Sequence, residues 1–431
     1  MSPALAGTIA EVLRPMVGGD LPVRLKVWDG SEAGPVNAPV VRLNSPNAIR
    51  RLLWAPGELG AAQAYVTGEL DIDGDLNSTL EQLWEVIRRR KLSGIRPTPA
   101  VLAGVAKIAR AAGALGTPPA PPVTQAKVKG RLHSLLRDRA AISHHYDLSN
   151  DFYELILDPQ MAYSSGYWTD RGDDVNFAGL AERASGSAGE AGASYGVEDA
   201  QRDKLDLVCR KIGLQPGMRM LDVGCGWGSL SLHAARYYGA TVVGVTLSVE
   251  QKAFIDARIK EYGLADRVEI RVQDYREIPD GPFDAVASLE MGEHVGQKNY
   301  PVYANALFKN LVPGGKVLVQ QMSRRGKHPG GGPFIESFIA PDMHMRPVGE
   351  TLSFLEDAGL EVEGVQGMRR HYVRTLEAWY ATFEENQDRA EAMMGAEVVR
   401  VWRLYLVGAL RSFAEGRMGV EQILCRKPEA L

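Results

Sequence analysis

The segment SLEMGEHVGQKNY (residues 288–300) places three ionisable side chains directly after a predicted strand, FDAVA. Glutamate and histidine accept and donate protons, so Glu290, Glu293 and His294 are candidates for acid–base chemistry. Glu293 is the first candidate for holding or replacing a catalytic base, and a bond to its own turn is the alternative. Glu290 fits a supporting role and a structural role equally well, and His294 is expected to cap or pack locally.

A glycine-rich turn, LDVGCGWG (residues 221–228), joins a predicted strand to a predicted helix. Glycines permit a tight turn and a close approach of the backbone to a ligand. The glycines follow Asp222 in the pattern GxGxG, whereas the dinucleotide fingerprint is GxGxxG. The turn therefore favours S-adenosylmethionine over NAD, with a dehydrogenase site or a purely structural turn as the alternatives.

The ends of the next two predicted strands extend this cofactor site. The second strand ends in GVTLSVEQ, which places Thr246 and Gln251 where an acidic residue would normally bind a ribose. The third strand ends in QDYRE, which places Asp274 and Tyr275 near the expected adenine end.

These residues are positioned by an alternation of helices and strands that begins at Ala200. The alternation predicts an α/β fold with a parallel-rich, doubly wound sheet and helices on both faces. Ligands of such sheets bind beyond the carboxyl ends of the strands. Glu290 and Glu293 follow a strand, so we expect them at the functional edge of the sheet.

The chain is predicted to contain two domains. Residues 1–115 are predicted to form a smaller α+β domain associated with lipid or membrane, and residues 126–431 a larger α/β domain that binds the cofactor. The proline-rich stretch at 116–125 is predicted to be a linker. A segment rich in Gly, Ala and Ser at 169–195 is predicted to be a mobile insertion and is a candidate lid.

The composition restricts the class of protein. Of 431 residues, 45% are hydrophobic and 24% are charged, which is typical of a globular protein. The three cysteines form no CxxC pair, which indicates a reducing compartment and no zinc site. The N-terminus does not resemble a signal peptide, and no apolar stretch is long enough to span a membrane.

The charge of the chain is unevenly distributed. Residues 88–139 contain twelve Lys or Arg and one Asp, a balance of +11, so the remaining residues carry −15 of the total of −4. This asymmetry indicates an anionic partner, either nucleic acid or an anionic membrane surface. A solvated linker face is the alternative.

Five ordered segments resemble the cyclopropane-fatty-acyl-phospholipid synthase family, which includes mycolic-acid cyclopropane synthases and fatty-acid methyltransferases. The resemblance covers residues 125–431 and implies a Rossmann-like class I methyltransferase domain. AYVTGELDIDGDL, nearer the N-terminus, resembles the extra domain of the phospholipid-acting bacterial members. The five segments are HYDLSNDFYELILDPQMAYSSGYW, AQRDKLDLVCRKIGL, LDVGCGWGSL, GVTLSVEQ and EHVGQKNY.

The resemblance implies transfer of one carbon from S-adenosylmethionine to the cis double bond of an unsaturated acyl chain in a membrane phospholipid. This substrate selects an anionic membrane surface over nucleic acid as the partner of the basic segment. We therefore expect a cytoplasmic protein bound peripherally to the inner face of the membrane; a homo-oligomer is allowed. The residues implied to contact the cofactor are Tyr163, Ser164, Asp222, Gly224, Cys225, Gly226, Trp227, Gly228, Thr246, Leu247, Gln251, Asp274 and Tyr275.

In the family a bound bicarbonate accepts the released proton, and its binding residues can be matched here one by one. Glu293 and Tyr372 match, whereas Ser165 stands at the family's cysteine position and Gln320 at its histidine position. Both replacements hydrogen-bond, but neither titrates near neutral pH, which argues against bound bicarbonate. These four residues are the catalytic candidates.

The altered residues also bear on the expected product. A slower base would let a hydride migrate before the proton is lost, which gives a methylene branch of the tuberculostearic-acid type instead of a cyclopropane ring. A separate reductase would then convert the methylene to a methyl branch. The alternative product is a cyclopropane ring, made by a cyclopropane synthase. Two other functions compete with this one: a methyltransferase that acts on nucleic acid or protein, and a non-catalytic lipid-binding protein.

Overall fold

The structure of the protein is a computed structural model that describes residues 4–91, 98–126, 149–170, 195–326 and 329–429. Most of the predicted insertion at 169–195 and much of the basic segment therefore lie outside the described residues. The chain divides into two compact units: the first is Met1–Gln125 with Glu391–Arg411, and the second is Ala126–Ala390 with Ser412–Leu431. The predicted boundaries at 115 and 126, and the linker between them, stay a prediction.

The first unit contains helices and one small sheet. Its elements are α1 (Leu5–Leu13), β1 (Arg24–Val27), β2 (Glu32–Ala33), β3 (Val40–Leu43), α2 (Pro46–Trp54), α3 (Glu58–Val66), β4 (Leu70–Ile72), α4 (Leu76–Arg89) and α5 (Pro99–Ala111). The strand order is β2–β1–β3–β4, with only β1 and β3 parallel.

The amphipathic helix α5 packs within the first unit. Ile108 of α5 shares a hydrophobic core with Leu5 and Ile9 of α1. Lys107, the residue before Ile108, pairs with Glu11 of α1 at 3.2 Å. Among the helices that the structure describes, none is both long and apolar enough to cross a membrane.

The second unit confirms the predicted α/β fold. Its elements are α6 (Asn150–Glu154), α7 (Val197–Lys211), β5 (Arg219–Val223), α8 (Ser229–Tyr238), β6 (Thr241–Thr246), α9 (Val249–Glu261), β7 (Val268–Val272), β8 (Phe283–Leu289), α10 (Tyr300–Lys309), β9 (Leu311–Arg324), α11 (Pro333–Phe338), α12 (Val348–Asp357), β10 (Glu361–Gly367), α13 (Arg369–Glu385) and β11 (Met418–Arg426). Between α13 and β11 the chain forms α14 (Gln387–Met394) and α15 (Ala396–Ala414), of which residues 391–411 belong to the first unit. The strand order is β10–β11–β9–β8–β5–β6–β7, and β11 is antiparallel to both neighbours.

Successive side chains of the central strands pack alternately into two hydrophobic cores, one on each face of this sheet. Met220 of β5 and Val242 of β6 lie in one core, while the next residues, Leu221 and Val243, lie in the other. Strands buried on both faces are expected in a sheet covered by helices on both sides. This packing fixes the carboxyl ends of β5, β6 and β8, where the site forms.

Candidate active site

The glycine-rich turn after β5 adopts a backbone that only glycine accepts easily. Gly224, Gly226 and Gly228 have φ angles of 77°, 54° and 79°. A Cβ on Gly224 would lie 2.6 Å from Cγ of Met291, whereas a Cβ on Gly226 would meet no atom within 4 Å. The turn therefore combines close packing behind the backbone with open space in front of it, as a cradle for a bound nucleoside requires.

An open cavity lies at the carboxyl ends of β5, β6 and β8, with about 1160 Å³ of empty space when the solvent at its mouth is included. Of the predicted cofactor residues only Gly228 does not line it; Gly228 is the N-cap that precedes α8, where a Cβ would lie 2.8 Å from Ile255. Glu290 and His294 line the same cavity. The predicted cofactor residues that line it are Tyr163, Ser164, Asp222, Gly224, Cys225, Gly226, Trp227, Thr246, Leu247, Gln251, Asp274 and Tyr275.

Local hydrogen bonds hold the polar groups of the cavity in place. The Ser231 hydroxyl donates to Asp222 at 2.7 Å, and the Thr246 hydroxyl donates to Gln251 Oε1 at 2.8 Å. Complete burial raises the pKa of Asp222 to about 6. Asp274 begins a short 3-10 helix and pairs with Arg276 at 2.7 Å. The residues present fit a polar nucleoside cofactor, and their roles as its ligands stay a prediction.

Two aromatic rings that line the cavity, those of Tyr163 and Trp227, belong to a larger buried aromatic cluster. The ring of Tyr163 lies 5.4 Å from that of Trp379 and 6.4 Å from that of Trp227, measured between centroids. The ring of Tyr372 lies 6.0 Å from Trp379. Aromatic faces attract cations and also pack against apolar groups, so the rings that line the cavity offer it an apolar surface.

Glu290 lies where the cavity meets a buried group of hydrogen-bond donors. Its Oε1 accepts hydrogen bonds from the Ser165 backbone N–H at 2.9 Å and from Gln320 Nε2 at 2.8 Å. Its Oε2 accepts a hydrogen bond from the Tyr372 hydroxyl at 3.0 Å. Ser165, Gln320 and Tyr372, three of the four predicted catalytic residues, thus donate hydrogen bonds to Glu290. The sequence alone did not decide between a supporting and a structural role for Glu290.

The backbone of Glu290 is itself unusual. Its φ angle is +51°, a left-handed conformation that residues other than glycine rarely adopt. Its N–H donates to the backbone oxygen of Gln320 at 2.7 Å, which ends the pairing of β8 with β9. Strained residues of this kind concentrate at functional sites.

Glu293 lies in a different environment, within the 3-10 helix Gly292–His294. Its Oε1 accepts a hydrogen bond from the Met322 N–H, and its Oε2 is buried with no hydrogen-bond partner among the described residues. In the part of the chain that the structure describes, Glu293 shares no hydrogen bond with Ser165, Gln320 or Tyr372. Its predicted catalytic role stays a prediction.

Burial and charge separate the two glutamates. Burial, together with the nearby charge of Glu290, raises the pKa of Glu293 to about 8. Burial also raises the pKa of Glu290, but hydrogen bonds and the Lys204 ammonium oppose that shift. The side chain of Glu290 receives three hydrogen bonds and that of Glu293 one, so the surroundings favour the charged form more at Glu290 than at Glu293.

Lys204 of α7 is a functional candidate that the sequence did not reveal. It is fully buried and donates to the Ser164 hydroxyl at 2.8 Å. Burial lowers its pKa to about 8, while the Glu290 carboxylate acts in the opposite direction. No local pattern identifies it, because lysines on predicted helices are nearly always solvated.

The groups predicted to bind bicarbonate are already engaged. The Ser165 hydroxyl donates to the Gly166 backbone oxygen at 3.0 Å, and Gln320 and Tyr372 bond to Glu290. Burial lowers the pKa of His294 to about 4, so this neighbouring imidazole is neutral. These residues do not fit a separate bicarbonate, because the Glu290 carboxylate already uses its expected donors.

The sequence of this chain is similar to those of known proteins. The sequence model of the family described as mycolic acid cyclopropane synthetase matches residues 133–423. A probable fatty acid methyltransferase of Mycobacterium tuberculosis is 34% identical over 430 residues, which covers 97% of this chain and 95% of the relative. A cyclopropane-fatty-acyl-phospholipid synthase of Escherichia coli is 32% identical over 346 residues, which covers 80% of this chain and 76% of the relative.

A solved structure shows the same fold. The crystal structure of mycolic acid cyclopropane synthase CmaA1 complexed with SAH and CTAB is 30% identical, with a TM-score of 0.58. The similarity covers 67% of this chain and 98% of that one.

Proposed function

Because this chain belongs to the mycolic acid cyclopropane synthetase family, we propose that it alkylates the cis double bond of an unsaturated acyl chain in membrane phospholipid. The family makes it an S-adenosylmethionine-dependent methyltransferase that acts on fatty acyl chains. Alkylation of the double bond is supported by the position of the Glu290 carboxylate, which Ser165, Gln320 and Tyr372 hold beside the cavity by hydrogen bonds.

S-adenosylmethionine, when bound, supplies an electrophilic methyl carbon that the π electrons of the alkene attack, which leaves a cation on the neighbouring chain carbon. The protein must then keep water away from this cation and remove one proton. The rings of Tyr163 and Trp227, which line the cavity, provide an apolar surface that favours positive charge. Glu290 is the proton acceptor in this proposal, and it replaces the bicarbonate of the family.

The hydrogen bonds to Glu290 also favour one product. Three donors stabilise the carboxylate, so they weaken it as a base and delay proton removal. During the delay a hydride moves from the methyl-bearing carbon to the cation, and a more stable tertiary cation forms. Loss of a methyl proton to Glu290 then leaves a methylene branch. Loss of the proton without hydride migration would close a cyclopropane ring, which is the alternative product.

The methylene product would define a partner. Its conversion to a methyl branch requires a reductase that supplies a hydride and a proton to the new double bond. The phospholipid substrate also requires contact with a bilayer, so we propose peripheral attachment to an anionic membrane surface. The basic residues at Arg88, Arg89 and Arg90, at the end of α4, support this attachment through their charge.

The test is product identification with the purified full chain, S-adenosylmethionine and vesicles of dioleoyl phosphatidylglycerol. We expect the acyl chain to gain the mass of one CH₂ group and to show proton resonances of a terminal methylene. Because a cyclopropane has the same mass, nuclear magnetic resonance must separate the two. Cyclopropane protons upfield of the methyl signals would refute the methylene product, and unchanged lipid would refute the proposed activity.

A further inference from the structure

Three buried glutamines form a ladder across the edge of the main sheet. Gln366 of β10 pairs in register with Gln422 of β11, and Gln422 pairs in register with Gln320 of β9. Their side chains are 8%, 1% and 0% exposed. Glutamine is seldom buried, and each buried amide must find partners for its N–H and C=O groups.

The ladder is anchored at one end by a lysine. Nζ of Lys211, the last residue of α7, donates to Gln366 Oε1 at 2.6 Å and to Gln422 Oε1 at 2.7 Å. Lys211 is itself 6% exposed. Burial lowers the pKa of Lys211 to about 7, and a neutral amine still has two N–H groups for its two glutamine acceptors.

At its other end the ladder reaches the proposed base. Gln422 Nε2 donates to Gln320 Oε1 at 2.9 Å, and Gln320 Nε2 donates to Glu290 Oε1 at 2.8 Å. An unbroken series of hydrogen bonds therefore runs from the Lys211 amine to the Glu290 carboxylate.

The two ends of this series determine the direction of every amide in it. A lysine amine in this series donates, so Gln422 must turn its oxygen toward Lys211 and its NH₂ toward Gln320. Gln320 must then turn its oxygen toward Gln422 and its NH₂ toward Glu290. Without the lysine, the amide of Gln422 could reverse, and Gln320 would follow.

We propose that Lys211 is a positioning residue for proton removal: through Gln422, it holds the Gln320 amide as a hydrogen-bond donor to Glu290. Lys211 contacts neither substrate nor cofactor in this role. This inference rests on the proposed function, because it assigns Lys211 to the control of that base. By keeping a donor on Glu290, Lys211 limits the basicity of the carboxylate and so favours the methylene product over the cyclopropane.

Three variants separate this role from simple packing. Lys211→Met keeps the length of the side chain but removes the donors. Gln422→Glu keeps the shape of the glutamine and can pair with Lys211, yet it offers only acceptors to Gln320. Gln366→Leu is the matched control, because Gln366 accepts from Lys211 but does not lie between Lys211 and Glu290.

The experiment measures kcat, KM, the pH profile and the product ratio on oleoyl phospholipid vesicles, with thermal unfolding recorded in parallel. For Lys211→Met and Gln422→Glu we expect the acidic limb of the kcat/KM profile to move to higher pH, a larger share of cyclopropane product, and an unchanged KM for S-adenosylmethionine. Gln366→Leu should lose stability and keep the wild-type limb and product ratio.

The outcomes also distinguish the two proposals. If the wild-type chain leaves the lipid unaltered, the proposed function fails. If the wild type is active and both ladder variants match Gln366→Leu in pH limb and product ratio, the function stands and the role of Lys211 is refuted. If Lys211→Met does not fold, Gln422→Glu alone tests the role of Lys211. Gln422→Glu is expected to fold because it retains a hydrogen-bond partner for the buried lysine.

Discussion

Glu290 and Gln320 bond to each other twice, once through the backbone and once through their side chains. The Glu290 N–H donates to the Gln320 backbone oxygen at 2.7 Å, and Gln320 Nε2 donates to Glu290 Oε1 at 2.8 Å. The pair links the end of β8 to the middle of β9, so sheet pairing and the position of the proposed base depend on the same two residues.

Of the two buried glutamates, Glu290 is predicted to be the base. Glu290→Gln removes the proposed base with little change in shape, so we expect kcat to fall by about 10² to 10⁴-fold. Glu293→Gln should have a much smaller effect. Both rates are measured on oleoyl phospholipid vesicles, and the reverse order would identify Glu293 as the base.

A related prediction uses chemical rescue. Glu290→Gly removes the carboxylate, suits the left-handed backbone at this position and leaves the three donors free to bind a small anion. We expect added bicarbonate or acetate to restore part of the lost activity in this variant, with saturation, and to leave Glu290→Gln unaffected because its side chain fills the space. Equal responses of the two variants would argue against a vacated carboxylate site.

The Tyr372 hydroxyl is predicted to tune the base. Tyr372→Phe removes one donor from an ionised acceptor, so the pKa of Glu290 should rise and the share of cyclopropane product should increase. The acidic limb of the pH profile would then move to higher pH. Tyr300→Phe is the control, because its buried hydroxyl donates to Gln321 at 2.6 Å instead of to Glu290. A limb that moves equally in both variants would show that the effect is not specific to Glu290.

The raised pKa of Glu293 should make the free energy of unfolding depend on pH. Its pKa in the folded protein is about 8, above the ordinary value of 4.5, so the folded state binds the proton more tightly than the unfolded state. Its contribution is therefore complete below pH 4.5 and is lost as the pH rises toward 8. Relative to Glu293→Gln, the wild-type free energy of unfolding should fall by roughly 1 to 4 kcal/mol over this range. Denaturant titrations at several pH values measure this; parallel curves for the two proteins would refute it.

The glycine cradle makes a prediction about cofactor affinity. Gly224→Ala adds a Cβ that meets Met291 at 2.6 Å, in a left-handed backbone that lines the cavity. Gly213→Ala is the matched control, with a φ of 69° and no atom within 4 Å of the added carbon. Both should lose about 1 kcal/mol of stability from the left-handed backbone, and Gly224→Ala more because of its contact with Met291. Only Gly224→Ala should weaken binding of S-adenosylhomocysteine, by about 10-fold, in calorimetry. Equal affinities would mean that the turn does not contact the cofactor.

The sequence predicts the positions of regular elements well where periodicity is strong. The segment RMLDVG becomes β5, and the glycines after it form the turn at the cavity, because a buried strand and a glycine pattern are local signals. The resemblance to a family brought Ser165, Gln320 and Tyr372 together as candidates. The structure then placed all three around Glu290.

What the sequence could not predict depends on register and on the buried environment. The left-handed backbone of Glu290 has no local signal, since glycine is the usual residue there. The ladder from Gln366 to Gln320 exists only because β10, β11 and β9 pair in one particular register. Lys211 likewise lies on a helix whose other lysines and arginines would be expected in solvent.

The central claim is that a carboxylate of the protein, not a bound bicarbonate, removes the proton. The most direct measurement is turnover of the wild-type chain on oleoyl phospholipid vesicles in buffer freed of carbon dioxide, with and without added bicarbonate. The Glu290 assignment predicts equal rates in the two conditions. A rate that collapses without bicarbonate and recovers when it is added would contradict it.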